Sequence, residues 1–441
     1  MVRTPVEFGE AGRDLRIDFF RGLALFMIIF DHIPGDPLSR FTYARLGFSD
    51  AAEIFVFLSG VSCGIVYFRI VSRQGVCGLL RSVSLRTLQI YAYYLLASLL
   101  TILLIVASRD LISIPDNHQA FIALREDPLA AIRSAIFLVS PPDLPGILVL
   151  YLELTFFFIP LFILITEWTN ATAALVLSGS LWLLAQIRPD LLPRLADHSY
   201  FNPIAWQFIF CIGMFVGTWY NSTEISVESF RQRSWVLLAC AIASAGLAYH
   251  FASILTHHQL LNLGQLAMSD ATVARMKENL SAIRLLHFLA VTFLVAICMR
   301  PSSSILSAPG AAVIVKVGKA SLQVFCLGAI LSVMLNLFVA IDRPGSIERL
   351  ILDCAVVLLI AWFATTMAQH RWGRVSNGGR VSNADRQSAG RSQATSEKFR
   401  DAPQETSAGL YQNFRRMLTN LMGQKSPIGG SRPAVRWIGW K

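Results

Sequence analysis

An arginine and a histidine stand eleven residues apart, Arg21 and His32, inside the apolar run IDFFRGLALFMIIFDH. Eleven helical steps of 100° return to within about 20° of the start and rise roughly 16 Å, so one helix face would carry both. Asp18 lies three residues before Arg21 on that face, placed to hold the guanidinium. Asp31 stands beside His32. Ionisable groups inside an apolar run are costly and mark either a site or a buried pair. A snorkelling arginine and a packed histidine are the plain alternative, but that reading leaves the shared register and the adjacent acids unexplained. Imidazole is a base near neutral pH, and the guanidinium fork suits phosphate.

The next apolar segment opens FSDAAEIFVFLSG. Asp50 and Glu53 would enter it close to His32, where a carboxylate can orient the imidazole as the third member of a base relay. Alternatively they cap the helix start, where acids are favoured. Asp50 suits the cap better, and Glu53, one turn deeper, suits the relay. The other polar residues sort into two layers. Tyr151, Glu153, Asn202, Gln207, Arg284 and His287 fall at the His32 end, and Asp18, Arg21, Arg86, Gln89, Lys319, Ser321 and Gln323 at the opposite end. An acid/base cluster above a basic cluster suits a reaction that draws reagents from both sides. Taken singly, each of these residues is equally a helix-end polar group. No P-loop, HExxH or paired-cysteine spacing occurs, so no metal ligand is assigned.

These residues need elements to hold them, and the composition says which kind. Of 441 residues, 54% are hydrophobic and 15% charged, against about 25% charged in a soluble domain. Apolar runs of bilayer-spanning length recur along the chain. They predict an all-α, polytopic helical bundle with ten spans: 17–33, 51–68, 87–107, 147–166, 171–187, 203–220, 235–255, 284–299, 320–341 and 346–368. Lysine and arginine placement sets the expected orientation. The stretch 69–86 has four arginines and no acid, and with the basic tail it places both termini in the cytoplasm. Residues 1–16 form a cytoplasmic segment, 17–369 the membrane domain, and 370–441 a basic, largely disordered tail. That tail holds 13 Lys/Arg against 4 Asp/Glu, or +9 of the net +10, so the charge is no sign of nucleic-acid binding. Leu410, Phe414, Met417, Leu418 and Leu421 share one helical face, which allows either an interfacial helix near 407–423 or a plain solvated tail. The seven cysteines are scattered, six of them in apolar runs, as packed thiols. Gly60, Gly64, Gly213 and Gly217 read as helix-packing positions.

The stretch RIDFFRGLALFMIIFDHIPGDPLSRFTYARLGFSDAAEIFVFLSG resembles the N-terminal signature of the OpgC family, membrane proteins linked to succinylation of osmoregulated periplasmic glucans. FNPIAWQFIFCIG, RLLHFLA and KASLQVFCLG resemble its later blocks, in the same order. OpgC proteins in turn resemble the acyltransferase-3 superfamily, whose Arg, ten residues, His hallmark would be Arg21 and His32. Its FF-x-x-SG element would be Phe57, Ser59 and Gly60 in FVFLSG. The resemblance implies acyl transfer from acyl-CoA to a sugar hydroxyl, with His32 as general base and Arg21 in donor binding. Asp18, Lys319 and Ser321 join the expected donor site, and Asp31, Tyr151, Asn202, Gln207, Arg284 and His287 the acceptor side. Asp50 or Glu53 would support His32.

The expectation is therefore a multi-pass O-acyltransferase of a bacterial inner membrane, acting on a periplasmic glucan or other envelope glycan. Its partners are the lipid bilayer, the glycan and acyl-CoA as co-substrate, succinyl-CoA being the form the resemblance favours. No permanently bound cofactor is expected, and no feature assigns an oligomeric state. The rival is a transporter or flippase for an anionic or glycan substrate, which also needs buried charges. Against the rival stand the absence of an evident inverted repeat and the register of Arg21 with His32.

Overall fold

The structure, a computed structural model, describes residues 14–33, 35–108, 126–139, 145–188, 200–221, 233–257, 270–300, 303–342 and 344–389. Twelve helices run through these residues, and no strand occurs among them. They are α1 (Leu15–Asp31), α2 (Ala51–Ala107), α3 (Pro128–Ile136), α4 (Gly146–Trp168), α5 (Ala171–Ile187) and α6 (Pro203–Asn221). The second half comprises α7 (Arg233–His257), α8 (Asp270–Glu278), α9 (Ala282–Cys298), α10 (Pro309–Lys319), α11 (Ser321–Asp342) and α12 (Ser346–Ala389).

All ten apolar segments expected from the sequence are helical, on α1, the two parts of α2, α4, α5, α6, α7, α9, α11 and α12. Five of these helices (α2, α4, α7, α11 and α12) are long and apolar enough to cross a bilayer. The chain is a helical membrane protein. Helices suit that solvent because they satisfy their own backbone hydrogen bonds. Large exposed apolar side chains such as Leu103, Val176, Leu237, Leu358 and Trp362 would cost free energy in water, whereas lipid accepts them.

Several expected connections are helical instead. The stretch 69–86 is helix broken by Gly75, whose φ of 66° lies in the left-handed region. That break lets α2 fold back, so that Arg86 comes within electrostatic reach of Cys63 and Tyr67. Glycine takes this conformation at no steric cost. The long connections expected over 108–146 and 256–283 contain α3 and α8, and α10 precedes α11. The last helix continues to Ala389, into the stretch expected as a disordered tail. Residues 1–13 and the interfacial helix expected near 407–423 lie outside the described residues. All seven cysteines are free thiols, but only Cys211 and Cys326 are fully buried.

Two close crossings build the centre. A methyl added at Gly60 would run into the Phe210 carbonyl, and one at Gly213 into that of Phe57. Gly64 and Gly217 meet Met214 and Val61 in the same way, which locks α2 to α6. Small residues let backbones approach where no hydrophobic force drives helices together. The second crossing joins α1 to α10: Gly22 abuts the Ile314 carbonyl and Gly318 that of Asp18. It fixes the α1 turn that carries Arg21.

Candidate functional site

Helix α1 places its polar residues by its two ends. Asp14 caps the start, its carboxylate accepting the Arg16 N–H at 2.9 Å. Arg21 is buried, and its Nη2 donates to the Leu58 carbonyl and to Ser62 Oγ, both at 2.8 Å. Asp18 stands 3.9 Å from the same guanidinium, so it is the looser partner. Arg21 and Arg86 both lie within electrostatic reach of Cys63. Tyr151 packs edge-on against Phe55 and lies within electrostatic reach of Arg21, so it stands between the two layers. Lys319 and Ser321 flank the α10–α11 junction, beside the Gly318 contact on Asp18.

His32 terminates α1 as its C-cap. Its Nδ1 lies 2.7 Å from the Ile28 carbonyl, which can only accept, so Nδ1 carries the proton and the lone pair is on Nε2. Asn336 Nδ2 donates to the His32 carbonyl at 3.1 Å and fixes its backbone. The orienting hydrogen bond on the imidazole thus comes from the main chain, not from a carboxylate as the sequence suggests. A helix end has unsatisfied carbonyls one turn back, and the Ile28 carbonyl is within reach of the C-cap side chain.

Both candidate carboxylates are engaged elsewhere. Asp50 Oδ1 accepts the Ala52 N–H, and Glu53 Oε2 accepts the Asp50 N–H, each at 2.9 Å, closing a capping box on α2. The remaining oxygens face cations. Glu53 Oε1 takes Arg284 Nε at 2.7 Å and Nη2 at 2.6 Å, and Asp50 Oδ2 takes Arg284 at 3.0 Å and Lys277 Nζ at 2.9 Å. Burial alone would raise the Asp50 carboxyl, but Lys277 and Arg284 outweigh it and hold the group well below the usual carboxylate range. Asp50 therefore stays ionised at neutral pH.

Lys277 reaches this point because the chain bends. Between α8 and α9 the axis turns by 66°, with Leu280 at φ 43°. Three donors hold the bend: Trp182 Nε1 on the Leu280 carbonyl, Gln186 Nε2 on that of Asn279 and Trp206 Nε1 on that of Lys277, at 3.0, 2.7 and 3.0 Å. The signal for Lys277 in the sequence is the helix-forming stretch ATVARMKE just before the apolar run.

The other expected acceptor residues separate. Asn202 bonds Asn279 and caps α6, while Gln207 pairs with Ser178, so both hold helices together. His287 is buried with Nδ1 2.7 Å from Ser49 Oγ, which in turn lies 2.7 Å from the Tyr43 hydroxyl. Gly47 and Gly246 pack beside its Nε2, where side chains on either would collide with the ring. Glu153 is buried on an apolar cavity between α2 and α4, beside the Leu154–Phe158 π turn and away from His32.

A cavity of about 410 Å³ joins what remains. His32, Asp31 and Asp50 line it with Arg45, Lys277, Tyr200 and Phe201. Asp31 is held by Thr42 Oγ1, which donates to Oδ1 at 2.6 Å. Its size falls in the range of small-molecule sites. Two carboxylates and two cations balance around His32. No curated protein and no solved structure is similar enough in sequence to match this chain. A sequence model of the family described as OpgC protein matches residues 13–372, and the chain belongs to that family.

Proposed function

We propose that the chain transfers an acyl group from acyl-CoA, in its succinyl form, to a hydroxyl of a periplasmic glucan, with His32 as general base. Membership in the OpgC family supports acyl transfer to glucans. The observation that carries the residue assignment is the His32 tautomer: Nδ1–H is committed to the Ile28 carbonyl, and the residue lines a polar cavity. The Nε2 lone pair takes the hydroxyl proton as the sugar oxygen attacks the thioester carbonyl. The proton then passes to the departing thiolate of CoA, so the base is restored. Deprotonation strengthens the nucleophile and reprotonation makes the leaving group a neutral thiol.

In this reading the protein crosses a bacterial inner membrane ten times with both termini cytoplasmic, and needs no permanently bound cofactor. The Arg21 end then faces the cytosolic donor and the His32 end the envelope glycan. Roughly 16 Å of helix between them is close to the reach of an extended pantetheine arm. Its partners are lipid, acyl-CoA and glycan. The test is His32→Ala in the full-length protein, followed by mass spectrometry of the glucans. Acylation should disappear while membrane abundance stays near that of the parent. Normal acylation in a stably expressed variant would remove His32 from the chemistry.

A further inference from the structure

The cavity beside His32 is lined by the rings of Tyr200, Phe201 and Phe325, of which Phe325 is buried against Phe55, and the proposed function uses none of the three. Phe201 is spoken for. It is buried, it meets Trp206 at 4.8 Å between ring centroids, and Lys277 Nζ stands 6.0 Å over its ring. Tyr200 is different: 47% of it is exposed. Its ring is set at 88° to Phe201, 5.0 Å away, and its hydroxyl reaches the Ala274 carbonyl at 3.4 Å. The ring is thus held between the start of α6 and the side of α8 while keeping open area toward the cavity.

We infer that Tyr200 is the platform on which an uncharged sugar ring of the acceptor lies while its hydroxyl is presented to His32. This rests on the proposed function and adds the residue that binds the acceptor unit. The electrostatics argue for a neutral ligand. Asp31 and Asp50 offset Arg45 and Lys277 around the cavity, so neither a bare anion nor a bare cation finds an excess of opposite charge. A hexose presents hydroxyls that both donate and accept. Lone pairs left on Asp31 and Asp50 accept from its hydroxyls, and Arg45 and Lys277 donate to its hydroxyl oxygens. The same hexose has an apolar face of C–H groups bearing slight positive charge. An aromatic ring offers a negative face to it. A lining of acceptors, donors and one half-open ring matches both sides of such a ligand.

The test is calorimetric titration of the full-length protein in nanodiscs with a short uncharged glucose oligosaccharide and, separately, with the matching glucuronate oligosaccharide. Acceptor and donor KM are measured in parallel. Tyr200→Ala should weaken oligosaccharide binding and raise the acceptor KM by roughly five- to tenfold, with the donor KM unchanged. Tyr200→Phe and Tyr200→Trp, which keep a ring, should stay within about threefold of the parent. Three results would overturn the platform. Tyr200→Ala binds like the parent, Tyr200→Phe fails as badly as Tyr200→Ala, or the glucuronate probe binds more tightly than the neutral one. If the parent binds the neutral probe through Tyr200 but transfers no acyl group to it, the proposed function falls and the platform stands. If the parent transfers to glucan with an acceptor KM insensitive to Tyr200→Ala, the platform falls and the function stands.

Discussion

Glu53 is fully buried, and one guanidinium meets its Oε1 twice, through Nε and Nη2. Removing one member of such a pair strands the other charge in a low dielectric, at a cost of about 3–5 kcal/mol. Glu53→Met should therefore destabilise the protein by that order in a denaturation series in detergent. Adding Arg284→Met should recover most of the loss, because Asp50 keeps Lys277. A single variant as stable as the parent would mean that the pair is solvated in the folded state. Arg21 poses a different question, since its Nη2 alone satisfies two acceptors on α2. An ammonium keeps the charge but loses the planar fork. Arg21→Lys should raise the KM for acyl-CoA with little change in kcat if the guanidinium also grips the donor. An unchanged donor KM with a collapsed rate would assign Arg21 to the chemistry or to the α1–α2 joint.

At the scale of elements, the α2–α6 crossing carries the clearest prediction. Gly60→Ala puts a methyl against the Phe210 carbonyl, a backbone atom that cannot swing aside. Overpacking of this kind costs about 1–3 kcal/mol, and here it should also separate the helices that hold Trp206 and the α8–α9 bend. Gly310→Ala in α10 is the control, because nothing lies within 4 Å of an added methyl. It should be neutral or slightly stabilising, since alanine is about 1 kcal/mol better than glycine inside a helix. Thermal melts of the two purified variants decide the matter. Equal melting temperatures would show that α2 and α6 can move apart without loss.

For the whole molecule, charge and site are separately located. Residues beyond His370 hold +9 of the net +10, and the family match ends at residue 372. Truncation after His370 should leave activity per mole of purified protein within about twofold. Its cations are worth about 1 kcal/mol each near anionic lipid, so amount or lateral distribution in cells is the property expected to change. A fall of about tenfold in activity, at equal thermal stability, would place part of the tail in the site.

Much of this was legible in the sequence where the cause lies within a turn or two of helix. Asp50 was legible as the cap of α2 because it answers a backbone N–H beside it, whereas Glu53, expected to support His32, closes the capping box instead. Gly60, Gly64, Gly213 and Gly217 read as crossing positions, and the apolar periods marked ten helices, because hydropathy is local. The partners were not legible. Glu53 and Arg284 are 231 residues apart, and Gln207 finds Ser178 rather than a ligand. Lys277 enters the cavity only through a bend at Leu280 that three distant side chains hold. One helix can be deduced from its own residues, since 3.6 residues per turn sets which of them share a face. Which face of another helix meets it depends on where small residues let two backbones touch, and only the assembled tertiary structure decides that.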